Sequence, residues 1–340
     1  MIFAREEEKN LGDVIIGDTC RHVLEGLSQS WFHKAEIETM NLLAEEEEIR
    51  LRMQGKDTVV FAGGGINSMH FCDACERILR CCDDSTEIYF NAVGVAKSEV
   101  NMSPKIRKRL RIIFRDPRVK QITTRGDYET AVDLIEEEKE YPCRLVLDPA
   151  IWTGETYGIH RDAESQVIGI GLIRPDLFET YEKKLDVERL YVGLVESLER
   201  RGYRWKLFCN GSYKDYIFGK ELCAKMDRPA DEFFLKRPME SKKLVRQIAS
   251  FQGIIAGRFH ANIIATSLEI PSVALVWNEK MRGFCELIDC PERYVGDEET
   301  LMDAEKMVDL LEKAMEEGYD RTCIRKQKRK TRKTMKNILR

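Results

Sequence analysis

The sequence lacks the features that mark membrane-spanning and exported proteins. No apolar run approaches the about 20 residues that a transmembrane helix needs. The first nine residues contain no hydrophobic signal core, so we expect a cytoplasmic protein. The eleven cysteines are scattered, and in a reducing compartment they are not expected to form a disulfide framework. No internal repeat or low-complexity tract is evident.

Acidic residues are missing from the end of the chain. Residues 321–340 contain ten Lys or Arg and no Asp or Glu, and taking these ten charges from the formal net charge of −4 leaves −14 for the rest. Three interpretations are open: a peripheral helix at the inner face of the membrane, a nonspecific nucleic-acid contact, or a frayed, solvated end. The membrane interpretation follows from four residues that fall on one face of a helix between the cations: Ile324, Thr331, Met335 and Ile338. No specific nucleic-acid partner is predicted.

Short apolar strands alternate with helical patterns along most of the chain. The patterns predict a short first strand at 2–4 and strands at 58–62, 87–93, 119–123, 144–147, 167–172, 205–209, 254–257 and 273–277. They predict helices that begin near residue 10 and near 104, and helices at 45–52, 68–81, 125–138, 187–200, 214–226, 261–268 and 298–317. This alternation is typical of an α/β fold with doubly wound parallel sheets. The polar stretch 152–165 has no period, so we expect an N-terminal Rossmann-like domain (1–160), a C-terminal one (161–318) and a basic tail (319–340).

The stretch 252–280 carries the strongest chemical signal. It predicts a strand, a helix and a second strand, with Arg258 and His260 where the first strand gives way to the helix. Ligands of open α/β sheets bind at the carboxyl ends of the strands, and a helix N-terminus favours an anion. We therefore expect a phosphate or carboxylate ligand beside a proton-transfer group. The alternative is structural: an Arg paired with a carboxylate, and a His held by backbone hydrogen bonds.

Six motifs resemble, in order, those of the polysaccharide pyruvyl transferase family. They are Asn10–Asp13, Phe61–Gly65, Arg125–Thr130, Leu147–Ala150, Ile168–Gly171, and Gly257–Ala261 continuing through Pro271 to Lys280. The resemblance covers roughly residues 10–290. It implies a glycosyltransferase-B-like fold, with two Rossmann-like domains facing a cleft. Characterised members move pyruvate from phosphoenolpyruvate onto two hydroxyls of a sugar as a cyclic ketal, whereas some relatives are glycosyltransferases or have no assigned substrate.

The chemistry of that reaction fits the residues of the central stretch. Phosphoenolpyruvate carries a phosphate and a carboxylate, and Arg binds both groups bidentately. Its methylene carbon must accept a proton, which suits a His that titrates near neutral pH. The resemblance places the binding Arg and the essential His at Arg258 and His260, on the donor side in the C-terminal domain. We thus expect a transferase with phosphoenolpyruvate as donor substrate, a sugar or lipid-linked glycan as acceptor, and no cofactor.

Two other functions remain open on the same fold. One is a glycosyltransferase that uses a nucleotide sugar, with Arg258 and Lys280 on the diphosphate. The other is a glycan-binding protein without turnover.

The N-terminal domain supplies candidates for the acceptor side. Asp13, with Asn10 beside it, is either a base toward an acceptor hydroxyl or an N-terminal helix cap. Gly63, Gly64 and Gly65 allow close approach of a ligand or of the opposite domain, or form a tight turn, and they do not have the spacing of a dinucleotide fingerprint. Arg125 meets the phosphate or the acceptor, or forms a salt bridge, with Asp148 as a candidate partner.

Other candidates carry weaker signals. Lys280 and Arg174 are either phosphate-binding cations or solvent-facing side chains. His160 lies in the connector and is a candidate for a cleft-facing residue by its position alone. Cys72 and Cys75 have the spacing of a metal-binding pair, but they fall inside a helix pattern, so we interpret them as buried thiols and predict no metal site.

Overall fold

A computed structural model of the 340-residue chain describes residues 1–5, 10–29, 35–66, 68–95, 103–126, 128–135, 143–179, 185–276 and 280–339. The chain divides into two compact units. The first unit comprises residues 1–6, 13–149 and 325–340, and the second comprises residues 7–12 and 150–324. None of the helices within the described ranges is long and apolar enough to cross a membrane.

A parallel sheet forms the centre of the first unit, and its described strands lie in the order β2-β1-β3-β4-β5-β6. The strands are β1 (Ile2–Ala4), β2 (Thr39–Asn41), β3 (Thr58–Ala62), β4 (Glu87–Val93), β5 (Val119–Thr124) and β6 (Arg144–Leu145). The helices are α1 (Leu11–Ser28), α2 (Glu46–Arg52), α3 (Met69–Arg80), α4 (Pro104–Arg115) and α5 (Tyr128–Ile135). Helix α1 belongs to the first unit from Asp13 onward. Helices on both faces bury the central strands, so residues 59–62 and 88–93 have no exposed side.

Aromatic packing and helix caps fix these elements. Phe61 stacks on Phe90 with ring centroids 4.6 Å apart, and Phe90 meets Phe114 of α4 edge to face at 5.1 Å. Ser103 caps α4, because its Oγ atom accepts a hydrogen bond from the Ile106 N–H group. Cys72 lies inside α3 as expected, buried, and burial raises the pKa of its thiol to about 11.

The basic end of the chain is a helix, and its residues from 325 onward belong to the first unit. Helix α16 (Arg321–Lys336) is followed by a 3-10 turn, Asn337–Leu339, and residues 325–340 cluster with the first unit. Thr331 Oγ1 accepts from the Leu147 N–H group at 2.9 Å, and Gln121 Nε2 donates to the Thr334 carbonyl at 3.2 Å. The interpretation as a frayed, solvated end is therefore wrong. The predicted stripe of Ile324, Thr331, Met335 and Ile338 is buried against protein.

The second unit is also built on a parallel sheet, with its described strands in the order β11-β10-β9-β7-β8. The strands are β7 (Val167–Gly171), β8 (Arg204–Phe208), β9 (Gly253–Ala256), β10 (Ser272–Leu275) and β11 (Tyr294–Val295). The longer helices are α8 (Val187–Arg200), α9 (Tyr213–Lys225), α11 (Ser241–Ala249), α12 (Phe259–Ser267), α13 (Lys280–Leu287) and α15 (Ala304–Glu317). The short helices are α6 (Thr153–Tyr157), α7 (Pro175–Glu179), α10 (Ala230–Phe233) and α14 (Glu298–Met302).

The stretch predicted as an interdomain connection begins with helical turns. A 3-10 turn, Pro149–Trp152, leads directly into α6, which ends at Gly158 with φ +61°. The Gly154 N–H group donates to Ser267 Oγ at 2.8 Å, so α6 is packed on α12 within the second unit. Residues from 150 onward thus belong to the second unit, whereas we expected this unit to begin at 161. A five-residue helix is too short to show a helical period in the sequence.

Candidate functional site

The predicted Arg and His lie at the switch point of the second sheet. The chain runs from β7 to β8 on one side and then crosses to β9 on the other side of β7. The carboxyl ends of β7 and β9 therefore flank the crevice in which ligands of doubly wound sheets bind. A Cβ atom on Gly257, directly after β9, would lie 2.4 Å from Ile173 Cγ2, so the two strand ends approach closely only because residue 257 is a glycine.

One buried carboxylate organises the cations at this crevice. Arg258 binds Asp215 through two hydrogen bonds, from Nε at 2.7 Å and from Nη2 at 2.8 Å. Arg174, just after β7, places its Nη1 atom 3.5 Å from the same carboxylate. Asp215 lies in the first turn of α9, and its side chain is fully buried. We call Asp215, Arg258 and Arg174 the Asp215 cluster.

The Asp215 cluster has more positive charge than it neutralises internally. Two guanidinium groups share the Asp215 carboxylate, and the further partner of Arg174, Asp176, is more than half exposed. Arg258 Nη1 and Arg174 Nη2 make no hydrogen bond to any residue within the described ranges. The N-terminus of α12, which adds the positive end of a helix dipole, begins at the next residue, Phe259. The cluster is thus suited to an anion.

His260, in the first turn of α12, packs closely against Gly12 at the start of α1. His260 is 5% exposed, and a Cβ atom on Gly12 would lie 2.2 Å from its Nδ1 atom. The segment 10–12 is anchored beside it, because the Leu11 N–H group donates to the Asn210 carbonyl at 3.1 Å. Asn10 Oδ1 accepts from the Gly12 N–H group at 3.3 Å, so this side chain caps α1.

The turn that carries Arg258 is braced from within its own helix. Asn262 Nδ2 donates to the Ala256 carbonyl at 3.0 Å and to the Arg258 carbonyl at 3.1 Å. Helix α12 packs against β9, β10, α6 and α11, which buries residues 260–266 on every side. A helix buried in this way holds its first turn firmly, and the Arg and His with it.

The first unit brings together its own predicted residues at the carboxyl edge of its sheet. Gly63 and Gly64 form a turn after β3 with φ +61° and +79°, a conformation that favours glycine. Asp13 and the Gly63–Gly65 turn line a small cavity of about 10 Å³, near the switch point between β1 and β3. Asp13 lies in the first turn of α1, where Asn10 supplies the cap.

Arg125 follows β5 in the first unit and forms an ion pair with Asp148. Both side chains are buried, so the structure contains the salt bridge that was the structural alternative for Arg125. Burial lowers the pKa of Arg125 to about 10, while the negative charge of Asp13 opposes this shift. Arg125 thus keeps its positive charge at neutral pH.

Other predicted residues lie elsewhere or cannot be placed. The Lys280 side chain and residues 277–279 lie outside the described part of the chain. His160 is exposed and lines a separate cavity of about 410 Å³ together with Lys242 and Arg246. Within the described ranges, no group of three or more His, Cys, Asp or Glu side chains is arranged to hold a metal ion.

The sequence reasoning missed three residues at the Arg258 site: Asp215, Gly12 and Asn210. Ser212 and Asp215 do have the spacing of a helix capping box, and Ser212 Oγ accepts from the Asp215 N–H group at 3.4 Å. The carboxylate of Asp215, however, faces Arg258, which lies 43 residues away in the sequence. Gly12 and Asn210 carry no comparable signal, because each acts through a neighbour that only the fold supplies.

Comparison with known proteins agrees with this architecture. No curated protein matches the chain in sequence. Among solved structures, the UDP-GlcNAc 2-epimerase of Methanocaldococcus jannaschii is similar, with a TM-score of 0.57, 12% identity, and coverage of 92% of this chain and 91% of that one. S. aureus MnaA, solved with UDP, is similar with a TM-score of 0.56 and 11% identity, over 94% of this chain and 90% of that one. An α-glucosyltransferase, solved with UDP and DNA, is similar with a TM-score of 0.51 and 10% identity, over 98% of this chain and 94% of that one.

These likenesses show a fold of the glycosyltransferase-B type, as the sequence predicted. The sequence pattern of the family described as polysaccharide pyruvyl transferase matches residues 10–279, most of the chain. That range includes the Asp215 cluster, His260 and the glycine turn of the first unit. The chain therefore belongs to the polysaccharide pyruvyl transferase family and is a polysaccharide-modifying transferase.

Proposed function

We propose that the protein transfers the pyruvyl group of phosphoenolpyruvate onto two hydroxyls of a sugar, in a cell-surface polysaccharide or its precursor, as a ketal. The observation that carries the proposal is the Asp215 cluster, with His260 two residues after Arg258. In this proposal Arg258 and Arg174 bind the donor and His260 is the acid. Asp13 remains a predicted base toward an acceptor hydroxyl, Gly63–Gly65 and Arg125 remain predictions for acceptor binding, and Lys280 remains a prediction for phosphate binding.

The charges of the cluster support an ionised donor. Phosphoenolpyruvate presents a carboxylate and a phosphate, which are rich in hydrogen-bond acceptors. Asp215 orients the Arg258 guanidinium through Nε and Nη2, which leaves Nη1 as the donor toward the ligand. A guanidinium fixed in this way loses little side-chain entropy when the anion binds. Arg174, whose Nη1 atom also contacts the Asp215 carboxylate, adds a second cation for the donor.

The proposed reaction needs one proton donor and two nucleophilic hydroxyls. His260 gives a proton to C3 of phosphoenolpyruvate, which converts the methylene to a methyl group and leaves an oxocarbenium-like C2. One sugar hydroxyl adds to C2, and its proton passes to the phosphate group. The C2–O bond to phosphate then breaks, and inorganic phosphate leaves with its electron pair. The second hydroxyl closes the ring and its proton returns to His260, so the overall products are the ketal and phosphate.

The first test is phosphate release from phosphoenolpyruvate in the presence of acceptor. His260→Ala is expected to lower kcat by about 10²-fold or more, the range that positioned acid catalysis contributes. His22→Ala is the matched control, because His22 is an exposed histidine on α1 in the first unit. Circular dichroism checks that both variants are folded. Full activity of His260→Ala would refute the assignment of His260 as the acid.

The second test separates the proposed donor from a nucleotide sugar. A ligand that binds only the native state raises the melting temperature by mass action. We expect phosphoenolpyruvate to stabilise the wild type and to lose this effect in Arg258→Ala. Stabilisation by UDP-sugars instead would favour a glycosyltransferase, and glycan binding without turnover of any donor would favour a non-catalytic role.

We also propose that the exposed face of α16 contacts an anionic membrane surface, where lipid-linked glycans are assembled. Its exposed cations include Arg325, Lys326, Arg329, Lys330 and Lys333. Because the other face of α16 is buried, the contact would be electrostatic, worth about 1 kcal/mol per cation near the surface.

Deletion of α16 would remove part of the first unit, so its membrane contact is better tested by substitution of surface charges. Replacing Lys326, Arg329, Lys330 and Lys333 with Gln is expected to abolish co-flotation with vesicles that contain phosphatidylserine. The melting temperature should be unchanged, since all four side chains lie on the solvent side of the helix. Equal flotation of wild type and variant would remove the membrane proposal.

A further inference from the structure

The turn between β8 and α9, residues 209–212, holds a buried carboxamide. Asn210 is 2% exposed, and neither its Oδ1 nor its Nδ2 atom hydrogen-bonds any residue in the described part of the chain. Buried polar side-chain atoms in folded proteins nearly always have a partner, because an unmade hydrogen bond costs stability. Two such atoms on one side chain therefore call for an explanation.

Looseness of the turn does not explain it, because the neighbouring polar groups are bonded. The Asn210 carbonyl accepts from the Leu11 N–H group, and the Gly211 carbonyl accepts from Arg237 Nε at 2.6 Å. Ser212 caps α9, and Gly211 has φ +93°, a conformation that other residues rarely adopt. The backbone of the turn is thus fixed, and it holds the Asn210 amide in a buried position without a protein partner among the described residues.

Asn210 belongs to the same region of the second unit as the proposed catalytic residues. Its carbonyl holds Leu11, and the next residue, Gly12, is in contact with His260. On its other side, Cys209 lies within the electrostatic reach of Asp215 and Arg258, although burial is the main reason why the pKa of its thiol is raised to about 11. The turn that carries the carboxamide therefore lies beside both the anion-binding cluster and the segment that contacts the proposed acid.

We propose that Asn210 binds the acceptor sugar, with Nδ2 donating to one hydroxyl oxygen and Oδ1 accepting from a hydroxyl group. The chemistry of the amide distinguishes this ligand from the donor. The carboxylate and phosphate oxygens of ionised phosphoenolpyruvate accept hydrogen bonds but donate none, so they cannot satisfy Oδ1. A hydroxyl both donates and accepts, and neighbouring hydroxyls of a sugar satisfy both amide atoms at once. This inference rests on the proposed function for the identity of the reaction.

The test variant is Asn210→Leu, which keeps the approximate shape of the side chain and removes both polar atoms. Asn41→Leu is the matched control, because Asn41 Oδ1 is bonded to the Leu43 N–H group at 3.0 Å in the first unit. Without ligand, Asn210→Leu is expected to melt at a higher temperature than the wild type, and Asn41→Leu at a lower one. A purely structural role for Asn210 predicts the opposite sign for its variant.

Ligand effects complete the test, with methyl glycosides of glucose, galactose and mannose as sugar probes. At least one glycoside is expected to raise the wild-type melting temperature, and this shift should vanish in Asn210→Leu but persist in Asn41→Leu. The shift caused by phosphoenolpyruvate should persist in both variants. In pyruvyl transfer, the acceptor KM of Asn210→Leu should rise about tenfold to a hundredfold, as expected from two lost hydrogen bonds, with the KM for phosphoenolpyruvate unchanged.

The outcomes separate this inference from the proposed function. If phosphoenolpyruvate neither binds nor reacts but a glycoside shift is lost in Asn210→Leu, the proposed donor fails and the sugar contact stands. If Asn210→Leu loses the phosphoenolpyruvate shift, or if no glycoside stabilises the wild type, the sugar assignment is overturned. A lower melting temperature for Asn210→Leu with unchanged acceptor KM would also overturn it.

Discussion

Substitution of Gly12 by alanine tests whether transferase activity depends on the position of the His260 imidazole. The new Cβ atom would lie 2.2 Å from Nδ1 and 2.5 Å from Cγ of His260. Since carbon atoms pack at about 3.5–4.0 Å, the imidazole must move by about 1 Å or more. His260 is almost fully buried and lies in the first turn of a buried helix, so the movement cannot be absorbed without cost.

The expected effects on stability and on activity differ in size. Overpacking of a buried site costs about 1–3 kcal/mol, and replacing a helical glycine with alanine returns about 0.5–1 kcal/mol. The net destabilisation is thus about 0–2.5 kcal/mol, within the typical stability of about 5–15 kcal/mol, so the variant should fold. A displacement of about 1 Å at a catalytic group costs about 10²-fold in rate. Activity should therefore fall far more than stability.

The assay is phosphate release from phosphoenolpyruvate together with urea unfolding. Gly26→Ala is the matched control, because Gly26 lies on the same helix and a Cβ atom added to it would meet no other atom within 4 Å. That variant should be more stable by about 0.5–1 kcal/mol and fully active. If Gly12→Ala is folded and as active as the wild type, the contact between Gly12 and His260 does not position the proposed acid, and the prediction is refuted.

Three further predictions concern the rest of the molecule. Asp215→Asn should cost about 3–5 kcal/mol in urea unfolding, because it removes the buried negative charge that the partly buried Arg258 guanidinium pairs with, and a loss below about 1 kcal/mol would contradict the role of Asp215. Burial raises the pKa of Cys20 to about 12, so mass spectrometry should find its thiol unlabelled by iodoacetamide at neutral pH until the protein unfolds. Hydrogen bonds from Arg201 and then Arg200 lower the pKa of Glu305 from 4.5 to about 2. The stability from Glu305 is thus complete above pH 4.5 and lost as the pH falls toward 2, and Glu305→Gln should weaken that part of the acid dependence of the urea midpoint.

The long elements of the fold could be predicted because their periods are visible over many residues. Strands such as β3 and β4 are continuous apolar runs, and helices such as α8 and α15 bury one face. The edge strands β2 and β11 were missed, since three and two residues are too few to show alternation. Helix α11 was also missed, although Leu244, Val245 and Ile248 do lie on a buried face of it.

The residues of the site divide in the same way. Arg258 and His260 could be selected because they stand directly after a strand, at an edge where ligands bind. Arg125 was selected for the same reason, and the structure contains the buried ion pair with Asp148 that was its structural alternative. The sequence did not indicate that Asp215 faces Arg258, because the two residues lie 43 positions apart in the chain.

The sequence by itself determined the family, the succession of strands and helices, and the positions of Arg258 and His260, because these depend on neighbours along the chain. The tertiary structure decided what those two side chains contact. Asp215 reaches Arg258, and Gly12 reaches His260, only because parallel strands bring distant turns to one edge of a sheet. It also decided that the basic end is a packed helix, since its buried side is held by distant partners such as the Leu147 N–H group, which donates to Thr331.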